Sequence, residues 1–266
     1  MDKEELLDMS PAEFRSMARR GEWTSDTVGK IARGYVNANL AIVPQDVAFE
    51  FLLFCTRNPA PCPVIDVTEP GNPHPSEMVA KEADLRTDLP RYRVFENGEL
   101  IDEPTDIKKY WRDDLVAFLM GCSLSFEWVL EAVNIHFRLI GDFFTSVPCI
   151  PAGPFHGPIV ASCRVFENSD LAVRALQVSS RHPSMHGAPI HIGDPAAIGI
   201  TDLSKPDAFA PDPPARLPEP GETIMFWAAG VTPQAVALQA KLPFIITHKA
   251  GHMFIGDQLA QEQAAL

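Results

Sequence analysis

The chain has 266 residues, of which 46% are hydrophobic and 21% are charged, and its formal net charge is −13. This is an ordinary globular composition, and the negative charge argues against a nucleic acid partner, because phosphate binding requires a basic surface. The five cysteines are odd in number and form no CxxC pair, which fits a reducing compartment. The N-terminus lacks the apolar segment of a signal peptide, and no apolar run reaches the ~18 residues of a membrane span. We therefore expect a cytoplasmic protein with no membrane partner.

Capping signals, apolar periodicity and turn residues predict a mixed series of elements in the first half of the chain. Ser10-Pro11-Ala12-Glu13 is a capping box with proline at the first helical position, and Gly21 can end that helix. Asn97-Gly98, between two apolar runs, predicts a β-hairpin. The other predicted elements are helices at 27–35, 45–57 and 114–121, and strands at 40–43 and 63–67.

The second half alternates between strands and helices around a proline-rich linker at 206–222, and this alternation favours an α/β fold. We predict a two-part chain. Residues 1–115 and 206–266 form an outer, three-layer α/β domain, and residues 116–205 form a smaller, two-layer α/β domain inserted in the middle. The predicted elements are helices at 126–133, 169–179 and 233–241, and strands at 135–140, 158–166, 188–192, 223–228 and 244–247.

The segment HGAPIHIGDP, residues 186–195, places histidines around a predicted strand. If residues 188–192 form that strand, His191 is its last residue but one, and Asp194-Pro195 reads as an N-cap followed by proline at the first helical position. Strand ends of α/β proteins often carry ligand chemistry. His191, Asp194 and the nearby His186 are therefore candidate catalytic residues, although core strands also contain histidines that only make hydrogen bonds.

Two further segments near the C-terminus each follow a predicted strand. Gly230-Val231-Thr232 precede Pro233 at a helix start, where free N–H groups and the positive end of the helix dipole attract a carboxylate, although ordinary capping explains the same pattern. Histidines in the segment THKAGHMFIGD are candidate acid/base groups. Histidines and carboxylates are also metal ligands, but no HExxH motif is present, so we predict no metal and no cofactor. The polar side chains of this segment are His248, His252 and Asp257.

Four arginines are candidates for binding an acidic substrate, because a guanidinium holds a carboxylate through two parallel hydrogen bonds. Surface ion pairing explains most of them equally well. Arg164 is the exception, because it lies late in the apolar segment VASCR. We interpret Cys122 as structural, since the helix end predicted at Gly121 disfavours a thiolate. The four candidates are Arg57, Arg86, Arg91 and Arg164.

Seven long and unusual segments occur in order between Arg33 and Asp257. They are RGYVNANLAIVP, FCTRNPAPCPVID, DLRTDLPRYRVF, WRDDLVAFLMGCSLSFE, HGAPIHIGDP, FWAAGVTPQ and GHMFIGD. In sequence and order they resemble the hydro-lyase family that includes the D-glutamate cyclases. The resemblance departs at FRLIGDFFTSVPCIPAG, residues 137–153, where it leads us to expect a longer polar segment with an Arg-Thr pair. We therefore expect a substrate-facing loop that differs in this chain.

The resemblance implies a two-part α/β fold and a lyase that removes water; the cyclase members join the amine of D-glutamate to its side-chain carboxyl, forming 5-oxo-D-proline. This reaction needs a base, an acid and donors for developing negative charge. We hypothesise that His191 and Asp194 form the base and its partner, with His186 and His252 nearby. The 230–232 turn would hold a carboxylate or oxyanion, and an arginine the α-carboxylate. On this hypothesis His191→Ala abolishes turnover and leaves the fold intact.

Two other function classes stay open. One is a non-catalytic binder of acidic amino acids or their cyclic forms, which would bind its ligand tightly and form no product. The other is a metal-dependent hydratase of hydroxy acids, which metal analysis of the purified protein would reveal. In every case the expected partner is a small acidic metabolite, and a homo-oligomer is compatible with the sequence.

Overall fold

The computed structural model describes residues 2–265 and contains two sheets with helices packed against both. The helices are α1 (Lys3–Leu7), α2 (Pro11–Arg19), α3 (Gln45–Arg57), α4 (Ser123–Ala132), α5 (Ser169–Ser179) and α6 (Thr232–Gln239). The strands are β1 (Tyr35–Pro44), β2 (Val64–Val67), β3 (Tyr92–Glu96), β4 (Glu99–Asp102), β5 (Leu115–Gly121), β6 (Arg138–Pro148), β7 (Pro158–Phe166), β8 (His191–Ile192), β9 (Thr223–Ala228), β10 (Ile245–His248) and β11 (Phe254–Leu259). Short 3-10 helices occur at Lys108–Tyr110, Pro183–Met185, Pro195–Ile198 and Ala260–Gln263.

The first sheet has the strand order β2-β5-β1-β10-β3-β4, with β11 paired to the first half of β1. Strand β1 lies at its centre and is buried on both faces, which explains its nearly continuous apolar sequence. Leu40 and Ile42 face one core cluster, and Ala41 and Val43 face the other. Helices α3 and α6 cover the second of these faces. All strand pairs in this sheet are antiparallel.

The second sheet has the strand order β6-β7-β9-β8, again antiparallel throughout. Helices α4 and α5 pack against one face, around Trp227. The other face is covered by the segment that contains Ile198 and Ile200. Helices and strands thus contribute to both sheets, and the predicted α/β class is confirmed.

Sheet membership changes along the chain at positions that differ from the predicted domain boundaries. Strand β5 pairs with β1 and belongs to the first sheet, and strand β9 pairs with β7 and belongs to the second. The second sheet is therefore built from residues 138–228, and both flanking parts of the chain build the first. The division of the chain into an outer and an inserted domain stays a prediction. Within residues 2–265, no helix is both long and apolar enough to cross a membrane.

Three predicted elements differ from the structure. The helix predicted at 114–121 is strand β5. Every residue from Leu115 to Gly121 is buried, and a continuous apolar segment has no hydrophobic periodicity that distinguishes a strand from a helix. The helix predicted at 27–35 is a series of turns that includes Gly29 and Gly34 at positive φ. The strand predicted at 188–192 is reduced to β8, a two-residue edge strand.

Candidate active site

A cleft lies between the two sheets. Its walls come from β1 and β10 of the first sheet, from β6 and β7 of the second, and from the loop at 249–253. Residues distant in sequence therefore meet here, as in many binding sites that lie between packed layers.

Helices α4 and α6 both begin at this cleft. Cys122 and Ser123 line it at the start of α4, and Gly230 and Val231 line it just before α6. Neither helix has a side-chain hydrogen bond at its N-cap among the described residues, and the positive end of each helix dipole lies at the cleft. Position 230 must be glycine because the Asn39 side chain packs directly against its backbone: a Cβ there would lie 1.9 Å from Nδ2 of Asn39. This arrangement favours an anionic ligand.

Arg164 on β7 is fully buried and lies at the cleft wall. Its guanidinium donates to Glu127 through Nε, at 2.9 Å, and through Nη2. It also donates from Nη1 to Ser162 Oγ at 2.7 Å and from Nη2 to Ser123 Oγ at 2.9 Å. Since a guanidinium has five N–H groups, one N–H on Nη1 has no partner within residues 2–265.

Ser123 and Ser162 link the buried Arg164 guanidinium to the cleft. Both serines line the cleft, and each hydroxyl oxygen accepts a hydrogen bond from Arg164. Because the oxygen is the acceptor, each hydroxyl proton stays available for donation to a ligand. Two hydroxyl donors polarised by one buried cation form a site suited to a carboxylate or an oxyanion.

Asp142 on β6 supplies a carboxyl group to the same cleft. Burial is the main cause that raises the pKa of Asp142 to about 7; the charge of Arg164 opposes this rise and the charge of Glu127 adds to it. Its backbone N–H and carbonyl are held by the neighbouring segment 207–209, and the residue as a whole is half-buried. A carboxyl with a pKa near neutrality can accept and return a proton at physiological pH, as a general acid/base requires.

The segment 207–209 forms a strap beside Asp142. Asp142 N–H donates to the Phe209 carbonyl at 2.9 Å, and Asp207 N–H donates to the Asp142 carbonyl at 2.8 Å. Gly141 allows this approach, because a Cβ at that position would lie 2.6 Å from the Phe209 carbonyl oxygen. The Phe209 ring lines the cleft and packs against Gly251. A Cβ added to Gly251 would lie 3.2 Å from Cε2 of Phe209. The strap therefore helps to exclude water from the Asp142 carboxyl.

Phe209→Ala should lower the pKa of Asp142 from about 7 toward its ordinary value of 3.8, because the smaller side chain admits water to the carboxyl. A titration of the Asp carboxyl carbons by ¹³C NMR measures this change. Phe49→Ala is the control, because Phe49 is exposed on α3 and does not line the cleft. An unchanged Asp142 pKa in Phe209→Ala would show that the strap does not desolvate the carboxyl.

Of the substrate-binding residues predicted from sequence, Arg164, Gly230 and Val231 lie at the cleft. Thr232 is buried just behind it: its hydroxyl accepts from the Val160 N–H at 3.0 Å and donates to the Ala229 carbonyl at 2.7 Å, so it is committed to the backbone. The other arginines point elsewhere and do not line the cleft. Arg57 donates to the Pro151 carbonyl, Arg86 pairs with Asp84, and Arg91 donates to the Glu103 carbonyl.

The predicted pair His191 and Asp194 lies on the edge of the second sheet, away from the cleft lining. His191 Nε2 is 2.8 Å from the Asp194 backbone carbonyl, and the Asp194 carboxylate caps the following 3-10 helix by accepting from the Ala196 N–H. The cap predicted at Asp194-Pro195 is therefore present. The carboxylate is not the group that contacts the imidazole.

His186 and His252 are both buried, and neither lines the cleft. His186 Nδ1 lies 2.6 Å from the Ala60 carbonyl, and burial lowers the pKa of His186 to about 4. His252 Nδ1 lies 3.0 Å from the Ala250 carbonyl, and burial likewise lowers the pKa of His252. The four predicted catalytic residues are thus not brought together at one cleft.

Sequence reasoning did not identify Asp142, Ser123 or Ser162. Asp142 lies inside the segment 137–153, where the family resemblance departs from expectation, and that departure was the available signal. Ser162 stands two residues before Arg164 in one strand, so the two side chains share a face. Cys122 lines the cleft, but burial raises the pKa of its thiol to about 12, which fits the interpretation of Cys122 as structural.

Comparison with known proteins gives a consistent result. A family model described as D-glutamate cyclase matches residues 116–257. A protein named "Putative hydro-lyase" from Geobacillus kaustophilus is 54% identical over 261 residues, covering 96% of both chains. One of the same name from Bacillus subtilis is 49% identical over 264 residues, covering 97% of this chain and all of that protein. A crystal structure of a nitrogen repressor-like protein from Methanococcus jannaschii aligns with 95% of this chain and 99% of that one, at 8% identity and a TM-score of 0.40.

Proposed function

This chain belongs to the D-glutamate cyclase family, and we propose that it is a hydro-lyase that closes D-glutamate to 5-oxo-D-proline in the cleft between the two sheets. The observation that carries the proposal is the combination found there. A carboxyl with a pKa of about 7, Asp142, shares one cleft with two serine hydroxyls that are held by a buried arginine.

Asp142 meets the need for proton transfer. In the cyclisation the amine nitrogen bonds to the side-chain carboxyl carbon, one C–O bond of that carboxyl breaks, and the oxygen leaves as water with two protons from the ammonium group. Asp142 in its ionised form accepts a proton from the ammonium, and in its protonated form it delivers that proton to the leaving oxygen; a second transfer of the same kind, after the amine has attacked, moves the other proton. A pKa near the working pH serves both roles.

The serine pair meets the need for charge stabilisation. The tetrahedral centre formed by attack of the amine carries negative charge on oxygen, which hydroxyl donors at fixed positions stabilise. Ser123 and Ser162 can each donate one hydrogen bond, and Arg164 behind them strengthens both donors. The start of α4 adds its dipole on the same side, since Ser123 is its first residue. Holding the flexible substrate in a ring-closing pose supplies further acceleration.

Proton NMR of the purified protein tests the reaction. Incubation with D-glutamate should produce 5-oxo-D-proline signals at a rate proportional to protein concentration and above the protein-free control, and incubation with 5-oxo-D-proline tests the reverse direction. A parallel incubation with L-glutamate tests whether the enzyme distinguishes the two enantiomers of the substrate. No interconversion in any tube by folded protein would overturn the proposed reaction.

The same experiment separates the two other function classes. Saturable binding of D-glutamate or 5-oxo-D-proline without product would favour a non-catalytic binder. Turnover that chelator abolishes and added divalent metal restores would favour a metal-dependent enzyme. Among residues 2–265, no three His, Cys, Asp or Glu side chains lie close enough to hold a metal ion. We expect the rate of D-glutamate cyclisation to be unchanged by chelator.

A further inference from the structure

His248, at the end of β10, is a fully buried histidine at the cleft wall. Its Nδ1 accepts a hydrogen bond from the Leu40 backbone N–H at 3.1 Å and lies 2.7 Å from Nε2 of Gln234. The Leu40 carbonyl is farther away, at 3.3 Å. Because a backbone N–H can only donate, the Leu40 contact requires a bare Nδ1, and the Gln234 amide then donates to the same nitrogen.

The proton of the neutral ring must therefore be on Nε2. This atom is buried and has no hydrogen-bond partner within residues 2–265. A buried N–H without an acceptor is costly, so a ligand oxygen that reaches it completes a hydrogen bond and replaces none. His248 lines the cleft and its Nδ1 is already engaged by Leu40 and Gln234, so Nε2 is the ring nitrogen that remains for a ligand.

The surroundings of His248 keep the ring neutral. Burial, together with the charges of His252 and Arg93, lowers the pKa of His248 to about 4, and the nearby Leu40 carbonyl only partly opposes this effect. Arg93, on the neighbouring strand β3, is paired with Glu103 at 2.7 Å, and Lys249 next to His248 also pairs with Glu103. Near pH 7 the ring thus offers a proton for hydrogen bonding and does not exchange it with a substrate.

We infer that His248 is a fixed hydrogen-bond donor that binds a substrate carboxylate through Nε2–H, and that Gln234 is a positioning residue that helps to hold this tautomer. The inference rests on the proposed function in that both place an acidic substrate in the same cleft. With the serine pair beside Arg164, it gives the cleft two separate groups of donors for anionic oxygen. The matching substrate class is a small dicarboxylate, with one carboxylate at each group.

The tautomer can be measured without any substrate. In a two-bond ¹H–¹⁵N spectrum of histidine-labelled protein at pH 7, we expect the His248 ring to carry its proton on Nε2, assigned by its absence in His248→Leu. Glutarate, a dicarboxylate that has no amine and cannot cyclise, serves as the probe and should shift the His248 Nε2–H signal. A proton on Nδ1, or a His248 signal that saturating glutarate leaves unmoved, would overturn the inference.

Two variants separate donation from acid/base catalysis. His248→Leu should raise KM for D-glutamate by about tenfold to a hundredfold, the usual effect of removing a hydrogen bond to a charged group. His248→Gln keeps an N–H near the position of Nε2 and should recover most of that loss. The pH profile of kcat should be the same in both variants as in the wild type. Loss of kcat in both, with a changed pH profile, would instead identify His248 as an acid/base group.

Failure of this inference is distinguishable from failure of the proposed function. Turnover of D-glutamate with a proton on Nδ1 would leave the reaction standing and remove the inference. A glutarate-induced shift of the His248 Nε2–H signal without turnover of D-glutamate would support the inference and overturn the proposed reaction. Gln239→Glu is a matched control for Gln234→Glu, because both residues lie on α6 and, within residues 2–265, only Gln234 of the two makes a hydrogen bond to His248. Only the Gln234 substitution should move the tautomer, since a carboxylate accepts from Nδ1 and draws the proton there.

Discussion

Asp142→Asn should reduce kcat/KM for the cyclisation of D-glutamate by about 10²–10⁴-fold, the usual contribution of a general acid/base. Asparagine has the same shape but cannot accept and return a proton. The wild-type kcat/KM should rise with pH as Asp142 ionises, with its acidic limb near pH 7, where the pKa of this carboxyl lies. In the NMR assay of D-glutamate turnover, Asp142→Asn should have the reduced kcat/KM, and its kcat/KM should no longer fall as the pH drops below about 7.

Folding of the Asp142→Asn variant can be checked through the pH dependence of stability. A carboxyl whose pKa is about 7 in the folded protein and 3.8 in the unfolded chain binds more protons when folded, so its contribution to stability falls as pH rises from about 4 to about 7. Asparagine removes this fall. The variant should therefore be at least as stable as the wild type at pH 8, and urea unfolding measures this.

His191→Ala is the matched comparison for Asp142→Asn. The sequence-based hypothesis expects it to abolish turnover, whereas a site in the cleft expects nearly wild-type turnover, because His191 lies on an edge strand and does not line the cleft. Loss of activity in His191→Ala together with full activity in Asp142→Asn would move the active site to the 186–195 segment.

Arg164→Met should destabilise the fold by about 3–5 kcal/mol and abolish detectable turnover, because it leaves the Glu127 carboxylate without its buried partner. The double variant Arg164→Met/Glu127→Gln removes both charges and should regain most of the lost stability. It should not regain activity, since Ser123 and Ser162 then lack the cation that polarises their hydroxyls. Urea unfolding and the NMR assay measure the two effects separately.

Arg20→Met is the control for a surface pair, because Arg20 and its partner Glu22 are both about half exposed. Its unfolding midpoint should stay close to that of the wild type, as is usual for exposed ion pairs. An Arg164→Met protein that is as stable as the wild type, or a double variant with wild-type turnover, would contradict the role given to Arg164.

The sequence predicted well what local patterns determine. The capping box at Ser10, the helix at 45–57 and the hairpin at Asn97-Gly98 are all present, because capping, periodicity and turn residues act within a few positions. Arg164 was singled out because a charged residue late in an apolar strand needs a partner, and it is indeed buried with Glu127. Strand β5 was missed, since complete burial removes the period that would reveal it.

The cleft could not be predicted from local patterns, because its chemistry depends on contacts between distant parts of the chain. Asp142 has a raised pKa because burial among distant parts of the chain desolvates it and the charge of Glu127 adds to the effect. His248 Nδ1 meets the Leu40 N–H only because Leu40 lies on the strand beside it. The His191–Asp194 pattern predicts a strand end and an N-cap, and both are present. The segment lies at a sheet edge because β8 pairs only with β9 among the described strands, and the local sequence of the segment does not reveal this pairing.

The ¹³C NMR titration of Asp142, with and without 5-oxo-D-proline, tests most directly whether this cleft is the active site. We expect one Asp carboxyl, absent from the Asp142→Asn spectrum, to titrate near pH 7 in the free protein. Saturating 5-oxo-D-proline should shift its resonance and raise its pKa, because the ligand brings a second negative charge into the cleft. An Asp142 carboxyl that titrates near 3.8 and is unaffected by the ligand would contradict the account.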